Sequence, residues 1–183
     1  ADAGIRGIRF AVADPAVAVT TIDMIEPLAK RVNDLGWHVQ IHMLADQIVE
    51  NADLLQRLGA PMVFDHMGRL PPSAGIKHPG FQVIRRLLDK GRTWVKLSTI
   101  PFLRDSKLAA GAYADIIAIG QAYIGAAPER VVWGSDFPHP SRKEIPDAVV
   151  LFNLLAQWAP DETTRQRILV DNPEALYGFP KSV

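Results

Sequence analysis

The sequence predicts an α/β fold built on a parallel sheet, and three observations carry that prediction. Short β-rich runs alternate with stretches whose apolar residues recur near every 3.6 positions. The connections between them are short, as in strand–helix–strand units. Ionisable residues gather where the strand runs end. Doubly wound sheets and (β/α)8 barrels both show this alternation. No G-x-G-x-x-G or G-x-x-x-x-G-K follows a strand run, so the phosphate loop that marks many doubly wound sheets is missing. Polar, histidine-rich strand ends suit a barrel, whose chemistry sits where strands give way to loops.

Five strands are expected, at Ile5–Val12, Trp37–Met43, Met62–Phe64, Thr93–Leu97 and Val131–Trp133. The first helix, Thr20 to Leu35, keeps Ile22, Ile25, Leu28, Ala29, Val32 and Leu35 on one face and stops at Gly36. The next runs from Asp46 to Leu58 and ends at Gly59, and a third spans Phe81 to Leu88 before Gly91. A longer helix is expected over Leu108–Tyr123, then two more over Ile145–Trp158 and Asp161–Val170. The stretch 100–129 reads as loop plus helix with no strand in it. The proline- and glycine-rich segment Arg69–Gly80 follows a strand directly, and reads as an active-site loop.

Composition narrows the class. The 183 residues are 48% hydrophobic and 22% charged, enough for one domain over 1–183 with a single core. Twenty basic residues balance twenty acidic ones, so no electrostatic footprint for nucleic acid or a membrane surface is present. There are no cysteines, which removes disulfides, thiol nucleophiles and thiolate metal sites. No apolar run approaches the about 20 residues of a membrane helix. The expectation is a cytoplasmic protein acting on a small molecule, with self-association into a homo-oligomer left open. The chain opens Ala1-Asp2-Ala3-Gly4 without methionine, as an excerpt from a longer protein would.

The strand ends hold the candidate chemistry. The first carries Arg9; the second alternates His38, Gln40 and His42 against Val39, Ile41 and Met43. The third ends Asp65-His66-Met67-Gly68-Arg69, the fourth reads Lys96-Leu97-Ser98 with Arg104 beyond, and the fifth leads into Asp136 and His139. Each has a bland reading. His38 reads as a hydrogen-bonded core histidine, Asp65 as a loop cap or an arginine's partner, Lys96 as a stem reaching solvent, and Asp136 as a turn cap. Together they read differently. Parallel strands bring such ends to one rim, and buried charges cost several kcal/mol unless paired, so stability alone seldom selects a ring of them. The implied chemistry is proton transfer and charge stabilisation, with Asp as base, His as acid or polariser, and Arg as a carboxylate clamp. No G-x-S-x-G elbow occurs, which favours direct attack by water over acyl transfer.

Five motifs occur in order: Gly4-Ile5-Arg6-Gly7-Ile8-Arg9-Phe10, Val63-Phe64-Asp65-His66-Met67-Gly68-Arg69, Trp94-Val95-Lys96-Leu97-Ser98, Trp133-Gly134-Ser135-Asp136-Phe137-Pro138-His139 and Asn172-Pro173-Glu174-Ala175-Leu176-Tyr177-Gly178-Phe179. In that order they resemble the amidohydrolase-2 family, most of all its 2-pyrone-4,6-dicarboxylate lactonase branch. The resemblance implies a (β/α)8 TIM barrel of the metal-dependent hydrolase superfamily, truncated at its N-terminus with about the first two βα units absent. It implies hydrolysis of a carboxylated lactone or related cyclic ester. Asp136 would be the base for the attacking water and His66 would polarise the carbonyl. Arg9 and Arg104 would grip substrate carboxylates, with His42, Ser98 and His139 as further substrate-binding positions.

The chain departs from that pattern in three places. The family begins with His-x-His on its first strand, and none occurs here. A second arginine expected shortly after Arg9 is replaced by Ala11-Val12-Ala13-Asp14-Pro15. His42 stands where the branch has Tyr, and Pro140 where it has Asn. The expected hydrolase needs no cofactor. A zinc-dependent hydrolase or decarboxylase of the same superfamily is the alternative, although His66 and Asp136 alone make a thin ligand set. A catalytically inactive barrel or binding module is the other.

Overall fold

Successive side chains of a strand point to opposite faces, and the computed structural model shows where those faces point. It describes residues 3–98, 114–139, 145 and 147–180. Five strands, β1 (Gly7–Ala11), β2 (His38–His42), β3 (Met62–Phe64), β4 (Thr93–Leu97) and β5 (Val131–Trp133), lie side by side in chain order. Every pairing is parallel. All five expected strands are present, each within its expected run. β4 pairs directly with β5, Leu97 opposite Trp133, so no strand intervenes between them.

One face is apolar apart from the buried Thr93. Phe10, Val39, Ile41, Met62, Phe64, Val95, Leu97 and Val131 join a single buried cluster with residues from the helices. On the opposite face Arg9, Gln40 and Val63 stand at one register level, followed by Trp94 on β4. There a small cluster of Val63, Trp94 and Val132, with Leu176 against it, fills the lower part. Arg9 shares the level of Val63 and Trp94, while Lys96 and Asp65 stand further toward the strands' C-terminal ends.

The helices are α1 (Ile25–Asn33), α2 (Ala45–Glu50), α3 (Ala52–Arg57), α4 (Pro79–Asp89), α5 (Ala114–Ala126), α6 (Ala148–Trp158), α7 (Glu162–Gln166) and α8 (Asn172–Tyr177). Local chemistry sets their ends. His78 caps α4 by accepting from the Gly80 amide at 3.0 Å, and Asp147 and Asp161 cap α6 and α7 in the same way. Gly36 and Gly91, at φ 68° and 77°, supply the left-handed stops after α1 and α4.

Three helix expectations need correction. The helix over 46–58 is two, because Asn51 leaves helical geometry at φ −107° and its side-chain amide donates to the Gln47 carbonyl at 2.8 Å. The helix expected over 20–35 narrows to α1 preceded by a 3₁₀ turn at Ile22–Met24. The last helix does not stop at Val170: a π-helical turn, Arg167–Asp171, carries it into α8, which ends at Gly178. The expected start of the long helix at Leu108 lies outside the described residues; α5 is described from Ala114 onward.

The segment that most shapes the molecule's chemistry is the turn Asp65–Arg69. His66, Met67, Gly68 and Arg69 all have positive φ, at 50°, 54°, 69° and 49°. Left-handed backbone costs about 1–2 kcal/mol per non-glycine residue, so the surroundings must hold it. Met67 is completely buried, and its carbonyl accepts from the hydroxyl of Tyr123 on α5 at 3.2 Å. A Cβ on Gly68 would run into Ile84 Cδ1 of α4. Gly68→Ala therefore combines left-handed strain with overpacking and is expected to lower folding stability by about 2–4 kcal/mol. Urea denaturation measures it; a loss under about 0.5 kcal/mol would show that the turn relaxes freely.

Candidate active site

One carboxylate ties four neighbouring strands together. Asp65 follows β3 immediately and is 2% exposed. Arg9 Nε of β1 donates to its Oδ2 at 2.8 Å. The Gln40 amide of β2 donates to both oxygens, at 2.9 and 3.0 Å. Lys96 Nζ of β4 lies 3.1 Å from Oδ1. Burial by itself would raise this carboxyl's pKa. The charges of Lys96 and Arg9 overcome it and hold the carboxyl below its ordinary range. The bland reading of Asp65 as an arginine's partner is half the story, and that of Lys96 as a stem reaching solvent is overturned. Its ammonium is drawn inward because a buried carboxylate stands at the same level of the sheet.

His66 comes next, placed by the left-handed turn. Its Nδ1 lies 2.6 Å from Ser98 Oγ, and its Nε2 lies 3.7 Å from Asp136 Oδ1. Burial dominates its electrostatics and lowers its pKa to about 3, so the ring is neutral near pH 7. The contact with Asp136 is thus a neutral imidazole beside a carboxylate, not an ion pair. Asp136 itself has φ 63°, and burial raises its carboxyl above the ordinary range against the opposing pull of His139.

His42 packs edge-on to His66, ring centroids 5.3 Å apart. Its Nε2 lies 2.9 Å from Arg69 Nη1. Burial first, then the charges of Arg9 and Arg69, lowers its pKa to about 4, so a neutral ring accepts the arginine's hydrogen bond. His139 is buried, and among the described residues no hydrogen-bond partner meets its Nδ1. His38, read as a core histidine, is buried at the other end of β2, edge-on to Tyr177. Arg104 lies outside the described residues. In the Arg69–Gly80 segment, Arg69 reaches His42 while His78 caps α4 and lies 3.1 Å from Asp46.

The structure thus brings His66, Asp136, His42 and Ser98 together, with Arg9 tied to the adjoining Asp65. Asp65, Gln40, Lys96 and Arg69 belong to the same network but were not among the selected site residues. A signal for two of them existed, since Gln40 and Lys96 fall on the alternating positions that share a face with Arg9. Among the described residues no three His, Cys, Asp or Glu side chains gather at a spacing that would hold a metal ion. A catalytic zinc takes three protein ligands, so the described donors fall short of that set.

Two tests follow from this electrostatic arrangement. Asp65→Asn leaves Lys96 and Arg9 without their carboxylate and is expected to cost about 3 kcal/mol, less if Arg9 recovers solvation. A thermal midpoint within about 1 °C of the parent's would contradict the linking role. The second test is pH dependence. In the unfolded chain His42 and His66 take protons near pH 6.5, but in the folded chain only near 4 and 3. The unfolded state therefore binds more protons between those values, and stability falls as pH drops below about 6.5. His66 alone contributes a slope approaching 1.4 kcal/mol per pH unit, roughly, within that window. Asp65, with its lowered carboxyl, adds its own loss only below about pH 4. Urea unfolding at pH 7, 6 and 5 should show the decline, and His66→Gln should make it shallower, His42 supplying what remains; a flat parent profile would refute it.

Comparison with known proteins identifies the family. The family model described as Amidohydrolase matches residues 1–179. The chain is 33% identical over 180 residues to 4-sulfomuconolactone hydrolase of Rhizobium radiobacter, covering 96% of this chain and 59% of that protein. It is also 33% identical over 189 residues to 2-pyrone-4,6-dicarboxylate hydrolase of Comamonas testosteroni, covering 100% and 62%. Among solved structures it resembles an Acinetobacter baumannii protein described as a probable 2-pyrone-4,6-dicarboxylic acid hydrolase, with citric acid bound. That match has TM-score 0.75 and 25% identity, and covers 96% of this chain and 65% of the other. The chain spans about three-fifths of the length of the curated relatives it matches. With a parallel α/β sheet, His66 and Asp136 meeting at its rim, and a family match over nearly every residue, the chain belongs to the Amidohydrolase family.

Proposed function

We propose that the five strands are part of a (β/α)8 barrel, its other strands supplied by polypeptide not in this sequence, and that the whole protein hydrolyses a carboxylated lactone. The observation that carries this reading is the 3.7 Å approach of His66 Nε2 to Asp136 Oδ1 beside the cationic Arg9 and Lys96. The relatives' names point to lactones, and the citric acid in the Acinetobacter protein is a polycarboxylate.

Each group has a role its surroundings suit. Asp136, made more basic than an ordinary aspartate by burial, takes a proton from water. The water oxygen attacks the lactone carbonyl, and negative charge develops on the carbonyl oxygen. Neutral His66 donates from Nε2 to that oxygen. The ring C–O bond then breaks, and the proton held by Asp136 passes to the departing oxygen, giving a hydroxy acid and regenerating the carboxylate. Arg9, 46% exposed beyond its bond to Asp65, presents guanidinium N–H groups to a substrate carboxylate. Arg104 is assigned the same part, His42 and His139 are assigned to lining the substrate pocket, and Ser98 stands behind His66. No step requires a cofactor.

The test uses the complete protein with 2-pyrone-4,6-dicarboxylate and 4-sulfomuconolactone as substrates. Asp136→Asn keeps the side-chain shape and removes the base, so kcat should fall by about 10²–10⁴-fold while binding persists. Turnover within tenfold of the parent's would remove Asp136 from the mechanism.

A further inference from the structure

A neutral imidazole carries one ring proton, and which nitrogen holds it decides what His66 can do. With the proton on Nδ1, Nε2 would turn a lone pair toward the Asp136 carboxylate 3.7 Å away and have nothing to donate to a carbonyl. With the proton on Nε2, the ring faces that carboxylate with its positive end, and Nδ1 becomes an acceptor needing a donor. Ser98 Oγ stands 2.6 Å from Nδ1. His66 is 4% exposed and Ser98 2%, so bulk water has no access to replace the hydroxyl. A half-turn of the ring would swap nitrogen for carbon at both contacts and lose them together. His42, edge-on at 5.3 Å, occupies another side of the ring.

We propose that Ser98 is a positioning residue: its hydroxyl donates to His66 Nδ1 and holds the ring with Nε2–H directed at Asp136 and the reacting carbonyl. The Asp136 carboxylate selects the tautomer, and Ser98 fixes the orientation in which that tautomer is useful. Ser98 thus acts through His66 rather than on substrate. The catalytic part of this assignment rests on His66 as the polarising donor, but the tautomer and the hydrogen bond are measurable with no substrate present.

The experiment is two-bond ¹H–¹⁵N correlation spectroscopy of the complete protein labelled with ¹⁵N-histidine at pH 7, the His66 signals being those lost in His66→Gln. The expected parent spectrum shows Nε2 protonated and Nδ1 as a hydrogen-bonded imine nitrogen. Ser98→Ala should move the Nδ1 resonance to that of an unbonded imine nitrogen, and Ser98→Thr, which keeps the hydroxyl, should restore it. With 2-pyrone-4,6-dicarboxylate as substrate, Ser98→Ala should lower kcat on the order of tenfold to a hundredfold with KM little changed, and Ser98→Thr should recover it. A parent His66 protonated on Nδ1 overturns the proposal even if no Ser98 variant folds. So does an Nδ1 resonance unmoved by Ser98→Ala. The expected spectra without lactone turnover would support the positioning role and refute the lactonase reading alone.

Discussion

A buried carboxylate must be surrounded by donors or it will not stay ionised, and Asp65 meets that demand by drawing on three other strands. Arg9, Gln40 and Lys96 reach it from β1, β2 and β4, while Asp65 itself ends β3. The cost of burying the ion is several kcal/mol, and only this convergence offsets it. The same convergence fixes the level at which the strands stop being strands. His66 follows Asp65 in the chain, so wherever Asp65 is anchored, His66 is delivered one residue beyond it. The left-handed turn then rotates the imidazole toward Ser98 and Asp136.

The sheet separates two tasks by face. One face joins the apolar cluster that includes most helices, and its side chains carry no charge. The other holds a few apolar residues together with most of the ionisable ones, of which Asp65, His42 and Lys96 lie toward the strands' C-terminal ends. A polar network placed there is partly shielded from water, with Arg9 and Asp136 still reaching solvent. Shielding explains why His42 and His66 are neutral and why Asp136 is a stronger base than a solvated aspartate. Cationic Arg9 and Lys96 offset Asp65 and the neighbouring Asp136, and Arg69 at His42 adds a further positive charge.

Much of this was legible along the chain. Five β-rich runs separated by helical periodicity specify strand number and order, because short connections between parallel strands leave few alternatives. Histidine, aspartate and arginine at strand ends mark the rim, since buried charge is too costly to appear there without a reason. The helix boundaries were less legible. Asn51 has an ordinary place in a helical pattern, and only its side-chain bond to the Gln47 carbonyl shows that the helix breaks there. The π-helical turn at Arg167–Asp171 likewise has no periodic signature that separates it from α-helix.

What the residues determined by themselves was the class of fold, the rim on which chemistry gathers and the kinds of group found there, because hydrophobic period and charge placement are properties of the chain. What the tertiary structure decided was which of those groups meet. Lys96 could reach solvent or turn inward, and Asp65 could cap a loop or gather a cluster. Ser98 could touch a ligand or a histidine. Each choice depends on the register between strands, which sets neighbours from distant parts of the chain at one height. Register is a sum over many weak backbone and side-chain contacts, so it has no local signature for a reader of the sequence to find.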